Sequence, residues 1–354
     1  MVSEAEVLSA LKSVIDPELK IDVVSMGMIK DLDVSGGRVR FTLELTTPAC
    51  PYNSQIEQQV RSTVESLPGV RSVEIRVTAR VLSSKRASIT DTQVPLPGVK
   101  NVVAVASGKG GVGKSTVAVN LAVAWAEAGA SVGLLDADIY GPTIPRFIPI
   151  TTMPSMSGKK LIPALTDFDV RVMSLGLLVQ GDVPLIWRGP LVGGAVKQML
   201  AEVEWGDLDY LVVDLPPGTG DASLTLAQMT PISGVVIVTT PQDAATKIAA
   251  KSLRMFMQLN VRILGLIENM SYYVCSHCGN RSDIFGADGA RRLAEEYGVP
   301  LLGQIPLDPM IRESADAGTP LIKVHPDSQT AQSIRAIARQ LAGRLSVLAV
   351  GKHG

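Results

Sequence analysis

A glycine-rich stretch at residues 108–115 constrains the fold of this 354-residue chain more than any other part of its sequence. It reads Gly-Lys-Gly-Gly-Val-Gly-Lys-Ser and matches the pattern G-x-x-x-x-G-K-[S/T]. An apolar run at 102–106 precedes it, and a helix-forming run at 116–122 follows it. Strand, glycine loop and helix, in that order, form the context in which this pattern binds phosphate groups. The stretch therefore predicts a phosphate-binding loop at the end of a β-strand.

The predicted loop combines backbone donors with chemically active side chains. Its glycines let backbone N–H groups turn inward, and the following helix directs the positive end of its dipole at the same point. Lys114 is expected to reach the β- and γ-phosphates of a nucleotide, and the Ser115 hydroxyl to coordinate Mg²⁺. Lys109 is a second lysine that the general pattern does not require. The predicted nucleotide contacts are Gly108, Lys109, Gly110, Gly111, Val112, Gly113, Lys114, Ser115 and Thr116.

Three aspartates end or follow predicted buried strands downstream of the loop. Asp136 ends the apolar run at 132–136, Asp138 lies two residues further on, and Asp214 ends the run at 211–214. Ligands of a parallel sheet bind beyond the carboxyl ends of its strands, where the loop and these acids fall. Asp214 can hold Mg²⁺ or its water; of Asp136 and Asp138, one can support Mg²⁺ while the other orients the attacking water. A strand-end cap or a turn carboxylate is the alternative for each.

Composition and charge limit the class of protein. Lysine and arginine number 33 against 34 aspartates and glutamates, so the chain has no charge excess suited to nucleic acid. Hydrophobic residues make up 46% of the chain, enough to form a core. No apolar run is long enough to span a bilayer, the start lacks a signal-peptide pattern, and three cysteines do not make a disulfide framework. We therefore expect a cytoplasmic protein without nucleic-acid or membrane partners.

The order of predicted elements indicates an α/β protein in which a small α+β domain precedes a parallel-sheet P-loop NTPase domain. Residues 1–82 form the small domain, the proline-containing stretch 83–100 is a linker, and residues 101–354 alternate continuous apolar strands with helices, as in a parallel sheet covered on both faces. In the first domain, helices are predicted at 4–15 and 56–67 and strands at 38–45 and 73–77. Beyond the loop, strands are predicted at 132–136, 170–175, 211–214, 235–238 and 263–267, and helices at 189–203, 222–229, 244–259 and 328–350.

The predicted last helix, 328–350, has an apolar stripe and a basic face. A helix that lies on a membrane surface is one interpretation of this pattern. A helix that covers the sheet and exposes its arginines to solvent is the favoured one. The stripe consists of Ala331, Ile334, Ala338, Leu341, Leu345 and Leu348.

The cysteines form one pair and one single residue. Cys275 and Cys278 make a C-x-x-C pair, and loop-forming residues follow it rather than the helix that a redox dithiol requires. Two thiolates do not fill a tetrahedral site, so either two protomers supply four thiolates to a [4Fe–4S] or zinc site, or His277 or another histidine completes a structural zinc site. Cys50 precedes Pro51, which suits a first helical position, so a dipole-stabilised thiolate and an inert buried thiol are both open.

Several segments together resemble a known family. Residues 109–115 look like the deviant phosphate loop of the MinD/ParA/nitrogenase-iron-protein superfamily. Within it, residues 101–350 are similar to the Mrp/ApbC iron–sulfur cluster carrier ATPases, through Trp187-Arg188-Gly189-Pro190, Asp214-Leu215-Pro216-Pro217-Gly218-Thr219-Gly220-Asp221, Glu268-Asn269-Met270-Ser271 and the Cys275/Cys278 pair. Residues 1–82 resemble the small cluster-assembly-type domain often fused in front of these ATPases, through the shorter match Thr47-Pro48-Ala49-Cys50-Pro51.

The resemblance implies an ATP-binding, slowly hydrolysing homodimer with two nucleotides at its interface. It assigns catalysis to three residues: Lys109 reaches the partner's nucleotide, Lys114 contacts the phosphates of its own, and Asp138 positions the attacking water. It also assigns Mg²⁺ to Ser115, Asp136 and Asp214, and the nucleotide base to Asn269, Pro306 and Asp308.

The same resemblance implies what the cysteine pair does. Cys275 and Cys278 of two protomers are expected to bind a bridging [4Fe–4S] cluster that is labile enough to be handed to apoproteins. The implied cofactors are thus ATP, Mg²⁺ and the cluster, and the implied partners are a second copy of the chain and apo iron–sulfur proteins. For Cys50, a role in receiving or passing the cluster is a hypothesis.

Two other functions share the deviant loop. A partitioning or positioning ATPase of the ParA/MinD kind acts on DNA or a membrane, and it needs a basic surface or an amphipathic anchor instead of a metal site. A metal-chaperone GTPase is the third interpretation. Asn269 stands where guanine-binding relatives usually have an acid, which favours adenine.

Overall fold

The computed structural model describes residues 2–84, 93–158, 160–178, 194 and 197–351. Its contacts divide the chain into two compact units. The first comprises Met1–Ser84, Ala128–Ala130 and Arg339–Gly354, and the second comprises Lys85–Glu127 and Ser131–Ala338. The contacts thus group the end of the last helix with the first unit, whereas the sequence-based division places all of it after residue 100. That division stays a prediction. The segment 187–190 lies outside the described residues, as do 189–193, 195 and 196 of the helix predicted at 189–203.

The first unit packs two helices on a three-stranded sheet. Its elements are α1 (Glu4–Leu11), β1 (Ile29–Ser35), β2 (Arg38–Leu45), α2 (Asn53–Glu65) and β3 (Ser72–Ala79). The sheet has the order β1-β2-β3, with β1 antiparallel and β3 parallel to β2. The period-two pattern of β2 buries Val39, Phe41, Leu43 and Leu45, as its alternation predicts. The sequence-based interpretation missed β1, where charged residues interrupt the apolar alternation.

The second unit contains a sheet to which nine of the described strands contribute. Its order is β16-β13-β12-β4-β11-β5-β10-β9-β6. The pairs from β16 to β10 are parallel, and β9 and β6 extend one edge in antiparallel fashion. The strands of this unit are β4 (Val99–Ser107), β5 (Val132–Asp136), β6 (Ile150–Thr152), β7 (Ser155–Ser157), β8 (Lys160–Ile162), β9 (Ala164–Thr166), β10 (Val170–Ser174), β11 (Leu208–Asp214), β12 (Gly234–Thr239), β13 (Ile263–Glu268), β14 (Tyr273–Val274), β15 (Arg281–Ser282) and β16 (Leu301–Gln304).

Continuous apolar strands give this unit its core. The central strands β4, β11 and β12 are buried along nearly their whole length, because helices cover a parallel sheet on both faces. The described helices are α3 (Lys114–Glu127), α4 (Ile144–Phe147), α5 (Leu175–Leu178), α6 (Asp221–Met229), α7 (Asp243–Gln258), α8 (Gly289–Tyr297), α9 (Pro309–Asp316), α10 (Leu321–Val324) and α11 (Gln329–Val350). The α/β class and the parallel sheet predicted from the sequence are therefore confirmed, with an antiparallel edge added.

The apolar stripe of the last helix, α11, is buried in the core. Five stripe residues are buried, namely Ala331, Ile334, Ala338, Leu341 and Leu345. The indole N–H of Trp125 donates to the Ala338 carbonyl at 2.8 Å, which fixes the helix against α3. Burial of the stripe fits the covering role predicted for this helix rather than a membrane-surface role. Within the described ranges, no helix has the length and apolar character required to cross a bilayer.

Candidate nucleotide and cysteine sites

The phosphate loop lies between β4 and α3, where the sequence predicts it. The helix begins at Lys114, so its first N–H groups face the loop. Gly111 and Gly113 have φ angles of 79° and 81°, a left-handed conformation that favours glycine. A Cβ on Gly113 would collide with Nδ2 of Asn269, and a Cβ on Gly108 would lie 2.5 Å from the Ala249 nitrogen. Gly113 is therefore required by both close packing and backbone conformation, Gly108 by packing alone and Gly111 by conformation alone.

Lys114, Ser115 and Asp214 form one cluster at the carboxyl ends of β4 and β11. Lys114 Nζ donates to Asp214 Oδ1 at 2.6 Å, and Ser115 Oγ donates to Asp214 Oδ2 at 2.5 Å. Lys114 is 6% exposed and Asp214 is fully buried, so this ion pair is shielded from solvent. Burial raises the pKa of Asp214, and the Lys114 ammonium opposes that rise. The structure thus brings together the residues predicted to hold phosphate and Mg²⁺.

Asp136 and Asp138 follow β5 beside this cluster. Asp136 accepts hydrogen bonds from Ser174 Oγ at 2.9 Å, from the Asp138 nitrogen at 3.2 Å and from the Ile144 nitrogen at 3.3 Å. Burial, reinforced by the charge of Asp214, raises the pKa of Asp136 to about 7. Asp138 is partly exposed, and burial is the main cause that raises its pKa. A partly exposed acid beside the cluster can act as a base toward a neighbouring water.

The donor set of this cluster fits Mg²⁺. Asp136, Asp214 and Ser115 offer carboxylate and hydroxyl oxygens, the ligands that Mg²⁺ prefers. Burial is the main cause of the raised pKa of Asp136 and the Asp214 charge adds to it, and a divalent cation offsets such repulsion between carboxylates. The roles of individual residues toward the ion stay predictions.

The three residues predicted to contact the base occupy two places in the same unit. Asn269 is buried, and its Nδ2 donates to the Val112 carbonyl of the phosphate loop at 2.8 Å. Pro306 and Asp308 line a cavity of about 430 Å³ that Cys275 also lines. Asp308 caps α9 through the Met310 nitrogen at 2.9 Å and accepts from Thr330 Oγ1 at 2.6 Å. Asp308 therefore has a structural task whether or not it contacts a base.

The cysteine pair lies in the turn of the β14–β15 hairpin. Cys275 is half-buried and Cys278 is exposed, and the two are not joined as a disulfide. The Cys275 nitrogen donates to the Asn280 carbonyl at 3.0 Å, and the Gly279 nitrogen donates to the Cys275 carbonyl at 2.9 Å, so the turn is closed. Hydrogen bonds from the Cys278 and His277 backbone lower the pKa of Cys275. A thiolate at an exposed, ordered turn is suited to bind a metal.

The structure does not support a thiolate at Cys50. The helix α2 begins at Asn53, after Tyr52, rather than at Pro51. Cys50 is buried, its thiol lies 3.7 Å from Glu18 Oε2, and its sulfur accepts from the Tyr52 nitrogen at 3.4 Å. Burial, with a smaller contribution from the Glu18 charge, raises its pKa to about 12. Of the two alternatives for Cys50, the structure favours the inert buried thiol, because desolvation outweighs the helix end.

Two polar residues of these sites were assigned no role of their own from the sequence. Ser174, at the end of β10, donates to Asp136, and only the sheet order brings it there. Glu268, at the end of β13, is fully buried and accepts three hydrogen bonds. An acid at the end of an apolar strand was the available signal for Glu268. Lys109 is partly exposed, and its predicted contact with a partner's nucleotide is not tested by a single chain.

The fold and the loop define a P-loop NTPase. Residues 98–342 match the ParA family described as NUBPL iron-transfer P-loop NTPases, and residues 4–77 match the family described as iron-sulfur cluster assembly proteins. The chain belongs to this iron-transfer P-loop NTPase family, which confirms the resemblance seen in the sequence.

Individual relatives agree with this assignment. An iron-sulfur cluster carrier protein from Synechocystis sp. is 46% identical over 356 residues, covering 99% of this chain and 100% of that one. A protein of the same name from Deinococcus radiodurans is 49% identical, covering 96% of this chain and 95% of that one. A nucleotide-binding protein from Archaeoglobus fulgidus, solved in complex with ADP, is 40% identical with a TM-score of 0.58, covering 66% of this chain and 91% of that one.

Proposed function

We propose that this chain is an ATP-dependent carrier that binds a [4Fe–4S] cluster between two copies of itself and transfers it to apoproteins. The observation that carries the proposal is the pair of accessible thiols at Cys275 and Cys278, in the same unit as a complete phosphate loop. Within the described part of the chain, no third histidine, cysteine or acid completes a metal site with them. A second copy of the hairpin supplies the two missing thiolates. The relatives named as cluster carriers support this proposal.

The position of Cys275 and Cys278 suits an iron–sulfur cluster that is carried and released rather than kept as a permanent cofactor. The hairpin turn is exposed, so a cluster held there is accessible to an acceptor protein. The lowered pKa of Cys275 favours the thiolate form that binds iron. Ligands drawn equally from two chains are released when the chains separate, so the geometry of the dimer sets the retention of the cluster.

The nucleotide site supplies the other half of the proposal. Lys114 pairs with Asp214, and the β- and γ-phosphate oxygens of a nucleotide offer it a second anionic partner. Asp214 and Ser115 are then available to Mg²⁺, which neutralises charge on the phosphates. Asp138 orients the attacking water and takes its proton, and Lys109 of the second copy adds a cation at the γ-phosphate. A cation that arrives only in the dimer makes hydrolysis depend on dimerisation.

One cavity is lined by two of the predicted base contacts and by one cysteine of the pair. Cys275 and the predicted base contacts Pro306 and Asp308 line the same 430 Å³ space. A change in the occupancy of the base site therefore reaches the wall that carries the first cysteine. This adjacency supports a coupling between nucleotide state and cluster binding.

Anaerobic reconstitution with iron and sulfide tests the proposal. The full chain is expected to bind about four irons per dimer and to show the absorbance and EPR signals of a [4Fe–4S] cluster. The double variant Cys275→Ala, Cys278→Ala should bind no cluster, while Cys50→Ala is the matched control that removes the third cysteine. Iron retained by the double variant, or none bound by the natural chain, contradicts the proposal.

The same preparation separates the carrier from a ParA/MinD-like ATPase. Cluster-loaded protein should activate an apo iron–sulfur protein, and its mass should be that of a dimer. A protein without iron that sediments with DNA or anionic liposomes in the presence of ATP would instead be a positioning ATPase.

A further inference from the structure

Glu268 is a buried carboxylate to which the proposed nucleotide and cluster chemistry assigns no role. It ends β13 with no exposed surface, and within the described ranges no lysine or arginine pairs with it. A buried charge is costly unless hydrogen bonds compensate it. An apolar residue would fill a strand end at lower cost, so the carboxylate calls for an explanation beyond packing.

Three donors hold this carboxylate, and each comes from a different element. Ser271 Oγ donates to Oε1 at 2.6 Å, and Gln304 Nε2 donates to the same oxygen at 2.8 Å. The Ala290 nitrogen, at the start of α8, donates to Oε2 at 2.7 Å. The Asp288 side chain makes no cap bond at this helix end, so Glu268 takes the place of the N-cap.

Ser271 is the donor that connects Glu268 to both functional sites. It lies in the short loop between Asn269, which binds the Val112 carbonyl of the phosphate loop, and the hairpin with the cysteines. Within that loop Met270 has a φ of 52°, a left-handed conformation that costs a non-glycine residue energy. Such a conformation persists only where surrounding contacts impose it, and the Ser271–Glu268 bond is one of them.

The loop is also tied to the wall of the shared cavity. The Ser271 nitrogen donates to the Ile305 carbonyl at 2.9 Å, and the Leu307 nitrogen donates to the Tyr272 carbonyl at 2.7 Å. The Arg281 guanidinium, on the second strand of the hairpin, stacks over the Tyr272 ring at 4.1 Å. Contacts therefore run without a gap from the phosphate loop, through this loop, to the hairpin.

We infer that Glu268 is a positioning residue that transmits the nucleotide state from the phosphate loop to the cysteine hairpin, through its hydrogen bond with Ser271. The inference rests on the proposed function, because it assigns the coupling of the two sites proposed there. Glu268 itself touches neither nucleotide nor cluster. It holds the loop so that a displacement of Asn269 moves the hairpin instead of being absorbed at Met270.

Alkylation of the cysteines in the metal-free full chain tests the inference without iron. Rates with N-ethylmaleimide are measured at Cys275 and Cys278 by mass spectrometry, with and without MgADP and MgATP, and the buried Cys50 is the internal reference. In the natural chain, saturating nucleotide should change the rate at the pair by about fivefold or more. In Ser271→Ala, the change should fall below about twofold at saturating nucleotide.

Gln304→Ala is the matched control, because Gln304 donates to the same carboxylate oxygen from β16, outside the loop. It should keep the nucleotide-dependent change of the natural chain, with thermal stability lowered to a similar extent as in Ser271→Ala. Glu268→Gln should also lose the change, since an amide cannot accept from all three donors. If Glu268→Gln does not fold, Ser271→Ala still decides.

Two results overturn the inference. One is an alkylation rate in the natural chain that nucleotide does not alter, and the other is a Ser271→Ala variant that responds like Gln304→Ala. Neither depends on cluster binding, so the carrier proposal can hold while this inference fails. Failure of the carrier proposal appears separately, as absence of iron after reconstitution.

Discussion

The replacement of Gly113 by alanine tests how the phosphate loop is held in the absence of nucleotide. The added Cβ meets Nδ2 of Asn269, so the bond from Asn269 to the Val112 carbonyl must break or shift. Val112 is 2% exposed, so its carbonyl has little access to water as a replacement partner. The change therefore acts on a buried hydrogen bond and on a strained backbone at once.

The magnitude follows from three contributions. Alanine at a φ of 81° costs about 1–2 kcal/mol. The lost buried hydrogen bond costs about 1–3 kcal/mol. The lower entropy of the unfolded alanine chain returns about 0.4–1 kcal/mol. The free energy of unfolding should thus fall by about 3 kcal/mol, equivalent to roughly 6–12 °C in Tm for a unit of this size.

Gly110→Ala is the matched control within the same loop. Gly110 is exposed, its φ is not left-handed, and no heavy atom lies within 4 Å of a Cβ built there. Its substitution should change the free energy of unfolding by less than about 0.5 kcal/mol. Urea unfolding of the nucleotide-free chain, followed by tryptophan fluorescence, measures both variants, because Trp125 and Trp205 are buried in the second unit. Equal stability of the two variants would refute the reasoning.

Four further outcomes follow from the geometry. Asp214→Asn leaves the Lys114 ammonium, which is 6% exposed, without its anionic partner. Urea unfolding should therefore show that the free energy of unfolding falls by about 3–5 kcal/mol. Asp221→Asn, at an exposed position, is the control and should lower it by less than about 1 kcal/mol. Because the pKa of Asp136 is raised to about 7, its carboxyl is protonated below pH 7 in the metal-free chain. Calorimetry should therefore find that Mg²⁺-dependent ADP binding is weaker at pH 6 than at pH 8. Binding that is equally tight at both pH values would count against the assignment of Asp136 to Mg²⁺. The pKa of Cys50, raised from 9.0 to about 12, makes its alkylation at pH 8 at least about tenfold slower than that of Cys275. The raised pKa also means that the Cys50 thiol contributes fully to the free energy of unfolding below pH 9 and that this contribution is lost between pH 9 and 12. In calorimetric scans, Cys50→Ala should lack this fall in stability with pH.

The sequence alone determined the phosphate loop and the class of fold. The loop pattern is local: eight residues with fixed spacing, a preceding apolar run and a following helix suffice to specify it. The parallel sheet follows from continuous apolar strands that alternate with helices, because only strands covered on both faces lack a polar side. The C-x-x-C pair and the acids at strand ends were likewise visible as local patterns. The strand β1 was missed, because its charged residues hide the alternation on which such predictions depend.

Only the tertiary structure decided which of these residues meet and in what ionisation state. The order of the sheet places Ser174 beside Asp136 and Gln304 beside Glu268, residues that lie up to 38 positions apart in the chain, and the packing of a helix on the sheet brings Ala290 to Glu268. Burial decided between the two alternatives for Cys50, since desolvation depends on everything packed around a thiol and not on its neighbours in sequence. Local patterns fix which groups are available, whereas distances, burial and charge partners arise only when distant segments pack together.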